Sequence, residues 1–167
     1  MYNSKVEEDE RLGREIAKLI LEAKLREAGW KDIYTSFREN KYEPIDVDIE
    51  AYKDDGSETA MNIEVKVRNK YYDEWQLEEK KIERMLIDCD RGKSNEDTLY
   101  YLSICTVNTT AYLYKVNSEI IKQFNKTLLP CPKTSFIYNG YELKPSYLLP
   151  AERANRIIKF NKALLNL

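Results

Sequence analysis

Two alternating stretches on either side of a polar turn constrain this chain most. In residues 44–52, "PIDVDIEAY", apolar side chains alternate with three carboxylates, and in residues 61–69, "MNIEVKVRN", they alternate with charged side chains. A period of two is typical of β-strands, because successive side chains point to opposite faces of a sheet. Asp55-Gly56 lies between the two stretches and is a hairpin signal. We therefore predict an antiparallel hairpin with one apolar face and one charged face.

The remaining elements follow from apolar spacing along the chain. Helical spacing predicts helices over residues 7–30, with Gly29 as the C-terminal stop, and over 73–88, 119–124 and 151–167. In the third of these, Ser118 is the expected N-cap. Strand patterns are predicted at 32–37, 98–107, 111–116, 135–138 and 141–149. The predicted order is helix, three strands, helix, two strands and a mixed tail, within a single domain of residues 1–167.

Composition narrows the chemistry that such a domain can perform. Histidine is absent, which excludes Ser-His and Cys-His nucleophiles, His-ligated zinc and imidazole as a general base. The net charge of -2 gives no overall basic signature, so any contact with nucleic acid would come from a local patch. The three cysteines are widely spaced, as in proteins of a reducing compartment. With no apolar run of membrane-spanning length and no signal-peptide core, we expect a soluble, cytoplasmic protein.

The charged face of the hairpin is where chemistry is expected. Antiparallel pairing through the Asp-Gly turn places an aspartate of the first strand beside Glu64 of the second. Two carboxylates and one carbonyl suffice to hold Mg²⁺, which keeps several waters. Lys66, two residues from Glu64, would then stabilise negative charge or orient a nucleophilic water. The alternative is that this face is only solvated, which is the usual result of such alternation.

The order of the predicted elements, together with the charged residues of the hairpin, resembles the PD-(D/E)xK nuclease superfamily, which has the restriction-endonuclease-like fold. "PID" at 44–46 is similar to the first half of its motif with one extra residue, and "EVK" at 64–66 to the second. The resemblance implies an α/β fold: a restriction-endonuclease-like core with a mixed central β-sheet flanked by helices in αβββαβ order. This core would cover about residues 10–117, followed by a C-terminal extension over about 118–167 that the resemblance does not explain.

The resemblance also implies a function and its residues. It implies a metal-dependent nuclease that hydrolyses phosphodiester bonds in DNA, RNA not being excluded, with a metal-activated water as nucleophile. Asp46, Glu64 and Lys66 would be catalytic, and Asp46, Glu64 and Val65 would hold Mg²⁺ or Mn²⁺. The alternative is a catalytically inactive protein of the same fold that binds nucleic acid or acts in assembly.

Further residues are candidates for supporting roles in the site that the resemblance implies. Asp48 is the rival of Asp46 for the first metal position, and Glu15 matches an additional acidic position of the family. Gln76, Glu78 and Lys81 lie on the second predicted helix, where members carry a residue that faces the site; the alternative for each is an exposed, salt-bridged helix face. Arg68 and Lys70 are the expected nucleic-acid-binding residues. The tyrosine pair at 71–72 either stacks on bases or packs in the fold. The small size suits a phage or mobile-element protein, and the oligomeric state, a homodimer included, stays open.

Overall fold

The computed structural model describes residues 4–38, 43–132 and 140–166. Its α-helices are α1 (Ser4–Glu27) and α2 (Glu79–Asp90). Its strands are β1 (Asp32–Phe37), β2 (Val47–Tyr52), β3 (Glu58–Arg68), β4 (Glu74–Glu78), β5 (Leu99–Cys105), β6 (Thr110–Lys115), β7 (Asn125–Pro132), β8 (Tyr141–Pro150) and β9 (Arg156–Lys159). No helix in these parts of the chain is long and apolar enough to cross a membrane.

The strands form two sheets. The central sheet has the order β1-β2-β3-β5-β6-β9, and the smaller sheet has the order β4-β8-β7. β3 and β5 run parallel, and the other neighbours within the central sheet run antiparallel. The chain between β3 and β5 contains α2, as a parallel connection requires. The expectation of an α/β fold with a mixed central sheet is therefore confirmed.

The predicted hairpin is present as β2 and β3. Its register places Val47 opposite Ile63, and Asp55 in the turn accepts a hydrogen bond from the Ser57 amide at 2.9 Å. Along β2, Val47 and its alternate neighbours are buried while the residues between them are half-buried or exposed. The alternation in the sequence thus determined both the pairing and the buried face.

The two faces of the central sheet carry different side chains. On one face, α1 packs against aliphatic residues of the sheet such as Ile63 and Ile104. On the other face, α2 and the smaller sheet pack against Tyr101 and Tyr114, with Trp75 buried between the layers. The central sheet is therefore covered on both sides, and its strands β5 and β6 are almost entirely buried.

The helix α1 ends as the sequence predicts. Gly29 has a φ of 86°, and the Trp30 amide donates a hydrogen bond of 3.0 Å to the Leu25 carbonyl. This is the arrangement of a Schellman motif, in which a glycine adopts the left-handed conformation just after the last turn.

The second predicted helix is wrong in its first half. Residues 74–78 form the strand β4, and α2 begins only at Glu79. Trp75 and Leu77 are buried, whereas residues 74, 76 and 78 are half-buried or exposed. This alternation is typical of a strand. β4 pairs with β8, where Trp75 lies opposite Leu149, so a segment distant in sequence decides the conformation here.

The predicted helices at 119–124 and 151–167 are also wrong. The first contains only a short 3-10 helix, Ile121–Gln123, and the Asn117 side chain, rather than Ser118, accepts the amides of residues 119 and 120. The second contains the edge strand β9, where Ile158 is buried on the central sheet opposite Ala111. The strand at 141–149 is confirmed, β7 is an additional strand, and the prediction at 135–138 lies outside the described residues.

Gly13 sets how closely α1 approaches β3. A Cβ atom at this position would lie 2.8 Å from Cγ2 of Val67 and 3.3 Å from Cγ1 of Val65. Both contacts are shorter than ordinary van der Waals separations, so a methyl group would push the helix away from the strand.

We predict that Gly13→Ala destabilises the fold by ~1–3 kcal/mol, because overpacking outweighs the gain in helix propensity. Urea unfolding measures this change. In a Val67→Ala background the same substitution should cost much less, since the atom nearest the new methyl group is gone. Equal costs in the two backgrounds would contradict the close contact.

Candidate active site

An open edge of β3 creates the candidate site. β2 begins at Val47, opposite Ile63, so the part of β3 that follows has no β2 residue beside it. Asp46 occupies this position: its amide donates to the Ile63 carbonyl at 2.9 Å, and its Oδ2 accepts the Val65 amide at 2.8 Å. The Asp46 side chain thereby replaces a backbone partner of the strand.

A cavity of about 200 Å³ lies at this edge. It is bounded by the first half of α1, by β3 and by the first turn of α2. Its lining residues are Asp9, Glu10, Gly13, Asp46, Glu64, Val65, Lys66, Val67 and Lys81. Four of these are carboxylates and two are lysines, so the cavity concentrates acidic oxygen atoms beside two ammonium groups.

Glu64 is the buried group of the cavity. Its exposed fraction is 4%. Oε1 lies 2.7 Å from Nζ of Lys81, whereas Oε2 is buried and has no hydrogen-bond partner in the described parts of the chain. An unpartnered carboxylate oxygen in a buried position costs free energy unless a ligand satisfies it.

The surroundings of Glu64 and Lys81 shift the pKa values of both groups. Burial, with the Asp46 charge adding to it, raises the pKa of Glu64 to about 8, although Lys81 and Lys66 act in the opposite direction. Burial lowers the pKa of Lys81, but the Glu64 carboxylate outweighs that effect and the pKa of Lys81 is raised. A buried carboxyl group beside a second carboxylate therefore keeps its proton or takes a cation beside it.

Asp46 and Val65 present the remaining oxygen atoms. Oδ1 of Asp46 lies 3.8 Å from Nε of Arg14, and Oδ2 accepts the Val65 amide. Because the amide and carbonyl of one strand residue point to the same edge, the Val65 carbonyl also faces the open edge of β3. Lys66 lines the cavity with its side chain exposed. The structure thus brings together Asp46, Glu64, Val65 and Lys66, all four predicted from the sequence.

Of the supporting candidates, Asp48, Gln76 and Glu15 do not line the cavity. Asp48 is held by Arg38, whose Nε and Nη2 donate at 2.6 and 3.0 Å to its two carboxylate oxygens. Gln76 lies on β4 rather than on a helix, and its amide donates to Ser146 Oγ at 3.0 Å. Glu15 lies on α1 but outside the cavity lining.

The two predicted nucleic-acid-binding residues lie beyond the cavity along the chain. Arg68 is half-buried, and its side chain interacts with the Tyr101 hydroxyl. Lys70 is exposed, and its Nζ lies 5.7 Å from the centre of the Tyr72 ring.

Sequence reasoning missed two residues of the cavity as site residues. Asp9 and Glu10 precede Gly13 by four and three positions, so they lie on the same helical face as the glycine that touches β3. That spacing is a signal that could have identified them. Lys81 is the one of the three second-helix candidates that lines the cavity, where its Nζ lies 2.7 Å from Oε1 of Glu64.

The donor set is compatible with a divalent cation. Across residues 4–38, 43–132 and 140–166, no three His, Cys, Asp or Glu side chains are grouped as a protein-only metal site. Two carboxylates and one carbonyl would leave the other positions to water, which is the coordination that Mg²⁺ prefers. The unpartnered Oε2 of Glu64 is the atom that such an ion would satisfy.

Comparisons with known proteins identify no relative: no family model matches the sequence, and neither a curated protein nor a solved structure matches it. A functional assignment for this chain therefore depends on the chemistry of the cavity.

We predict that Glu64 makes the stability of the metal-free protein pH-dependent. A carboxyl group whose pKa is raised on folding stabilises the fold fully below its unfolded pKa, near 4.5, and this contribution is lost as the pH rises through about 8. Urea unfolding in EDTA should show the wild type losing on the order of a few kcal/mol relative to Glu64→Gln between pH 5 and pH 9. Parallel pH profiles would show that the burial of Glu64 does not control its ionisation.

Proposed function

We propose that this protein is a divalent-metal-dependent nuclease of the PD-(D/E)xK type that hydrolyses phosphodiester bonds in DNA. The observation that carries the proposal is the buried Oε2 of Glu64, which has no hydrogen-bond partner in residues 4–38, 43–132 and 140–166 and lies beside Asp46 in a cavity that Lys66 also lines. The element order supports a restriction-endonuclease-like core, since a helix, a three-stranded meander, a helix and a parallel strand follow one another, with β4 inserted before α2.

The residues of the cavity have distinct roles in this reaction. When bound, Mg²⁺ or Mn²⁺ activates water for attack at phosphorus and neutralises charge on the phosphate. Asp46, Glu64 and the Val65 carbonyl hold the ion. Lys66, exposed at the mouth of the cavity, contacts the phosphate and stabilises the negative charge that develops on its oxygens.

Asp46 is better placed than Asp48 for the first metal position. Both oxygens of Asp48 accept hydrogen bonds from Arg38, and Asn62 Nδ2 donates to Oδ1 as well, at 2.6 Å. An ion at Asp48 would have to displace these donors. Asp46 lines the cavity, and within the described parts of the chain its Oδ1 has the more distant contact with Arg14, at 3.8 Å.

We predict that Asp46→Asn and Glu64→Gln weaken the binding of Mn²⁺ by more than about tenfold, because each removes a charged ligand. Isothermal titration calorimetry measures the affinity, and circular dichroism checks the fold. Asp48→Asn is the matched control: it should lower stability through the loss of the Arg38 ion pair and leave the affinity for Mn²⁺ unchanged. Equal affinities in all four proteins would remove the cavity as a metal site.

Lys66 should act on the reaction and hardly on the metal. We predict that Lys66→Ala slows cleavage of DNA by roughly a hundredfold or more, as for the loss of one electrostatic stabiliser, with metal binding retained or tighter. Lys66→Arg should rescue only in part, because a planar guanidinium does not replace a compact ammonium. Lys80→Ala, on the exposed side of α2, is the control for loss of a lysine. A fully active Lys66→Ala protein would contradict the assignment.

One contact favours the alternative function, a catalytically inactive protein that binds nucleic acid or acts in assembly. Nζ of Lys81 lies 2.7 Å from Oε1 of Glu64 and supplies a positive charge there, as a protein that no longer binds metal at this carboxylate would need. Incubation of the protein with plasmid and linear DNA, in Mg²⁺ or Mn²⁺ and in EDTA, separates the two functions. Metal-dependent cleavage supports the nuclease, and binding without cleavage under all these conditions supports the alternative.

A further inference from the structure

Two adjacent tyrosine rings are exposed just after the strand that carries the cavity. The exposed fractions of Tyr71 and Tyr72 are 43% and 45%. Each ring packs edge-to-face with Trp75, at centroid distances of 6.0 and 5.7 Å, and Trp75 itself is 1% exposed. A buried ring therefore supports both tyrosines from below while part of each ring stays open to solvent.

The segment that carries these rings is fixed at its far end. The Tyr71 hydroxyl interacts with Asp73, and the Asp73 carbonyl accepts the Ala151 amide at 2.8 Å. The next residue, Glu74, already pairs with β8. Rings held in this way lose little conformational entropy when a ligand stacks on them.

The tyrosine pair follows β3, the strand that carries Glu64 and Lys66, and rests on the aromatic face of the central sheet. Trp75, on which the rings rest, belongs to the aromatic face, towards which Glu64 also points to reach Lys81 on α2. Lys70 is four positions after Lys66, a span of at most ~14 Å, which about four stacked nucleotides cover.

A positive charge lies beside the Tyr72 ring, and negative charges lie beside the Tyr71 hydroxyl. Lys70 lies next to the Tyr72 ring, with its Nζ 5.7 Å from the ring centre. The acidic groups near the Tyr71 hydroxyl are Asp73 and Glu152. A phosphate backbone would therefore run on the Lys70 side, from the rings towards Lys66 in the cavity.

We propose that Tyr71 and Tyr72 form a stacking platform for unpaired bases, so that the chain binds a single-stranded segment of nucleic acid beside the cavity. Aromatic rings stack on any base, whereas the bases of a duplex are already stacked on one another. This inference rests on the proposed function only for the direction in which the strand runs, because the cavity would hold the phosphate that is cut. Binding to the rings itself requires no metal.

A second exposed aromatic pair provides a matched control. Tyr34 on β1 and Tyr52 on β2 are 63% and 37% exposed, and their rings are edge-to-face at a centroid distance of 6.2 Å. The Tyr52 hydroxyl donates to Glu50 at 3.3 Å, and the charge of Glu58 also acts on it. Tyr72 has Lys70 beside its ring, whereas two carboxylates act on the Tyr52 hydroxyl, so this control pair should bind a nucleic-acid strand much more weakly.

The test measures binding of the full chain in EDTA by fluorescence anisotropy. The probes are a labelled 12-nucleotide DNA strand, the equivalent RNA strand and a 12-base-pair DNA duplex. The wild type should bind the single strands more tightly than the duplex, and the two strands compare DNA with RNA. The double variant Tyr71→Ala/Tyr72→Ala should raise the Kd for the strands by roughly tenfold or more, on the scale of lost base stacking.

Three further variants make the result specific. Tyr71→Phe/Tyr72→Phe keeps the rings and should retain binding, and Tyr34→Ala/Tyr52→Ala should bind as the wild type does. Tyr71→Leu/Tyr72→Leu keeps apolar cover over Trp75 without a stacking face, so its loss of binding cannot come from unfolding, which circular dichroism checks. Strand binding that is equal in the wild type and the Leu variant, or a wild type that binds only duplex, would overturn the proposal.

The outcome is separable from that of the proposed function. Loss of strand binding in the tyrosine variants together with no Mn²⁺ binding by the wild type would support the platform and remove the nuclease. Mn²⁺ binding at Asp46 and Glu64 together with unchanged strand binding in the tyrosine variants would support the metal site and remove the platform.

Discussion

The burial of Glu64 is the constraint on which the arrangement of the site depends. Its carboxylate lies between the central sheet and α2, beside the charge of Asp46. Two carboxylates held together away from water are stable only with a proton or a cation between them. Lys81 supplies that cation to one oxygen, and the other oxygen has no hydrogen-bond partner among the described residues.

Asp46 links this constraint to the architecture of the sheet. Because β2 begins one residue after Asp46, the side chain of Asp46 can take the Val65 amide that a continuing β2 strand would have taken. Asp46 therefore satisfies a backbone amide of β3 and also places a negative charge at that edge of the strand. A longer β2 would fill the edge with backbone and leave no cavity there.

The two faces of the central sheet pack against different layers, and β3 contributes side chains to both. The aliphatic face packs on α1, and Gly13 allows a close approach that brings Asp9 and Glu10 to the rim of the cavity. The aromatic face packs on α2 and the smaller sheet, and Trp75 lies within it. Lys81, on α2 in this aromatic layer, lies 2.7 Å from Glu64. Tyr71 and Tyr72, which follow β3, are exposed at the surface of the same layer. The strand β3 thus carries both residues of the hydrophobic core and residues of the candidate site.

The sequence by itself determined the β2–β3 hairpin, the proximity of an aspartate to Glu64 and the exclusion of imidazole chemistry, because a period of two fixes faces and neighbours locally. Only the tertiary structure decided that residues 74–78 and 156–159 are strands, since their partners, β8 and β6, lie far away in sequence. It also decided that Glu64 is buried, that Lys81 pairs with it and that Arg38 occupies Asp48. Burial and ion pairing arise where distant layers meet, and no local pattern in the chain encodes which layers these are.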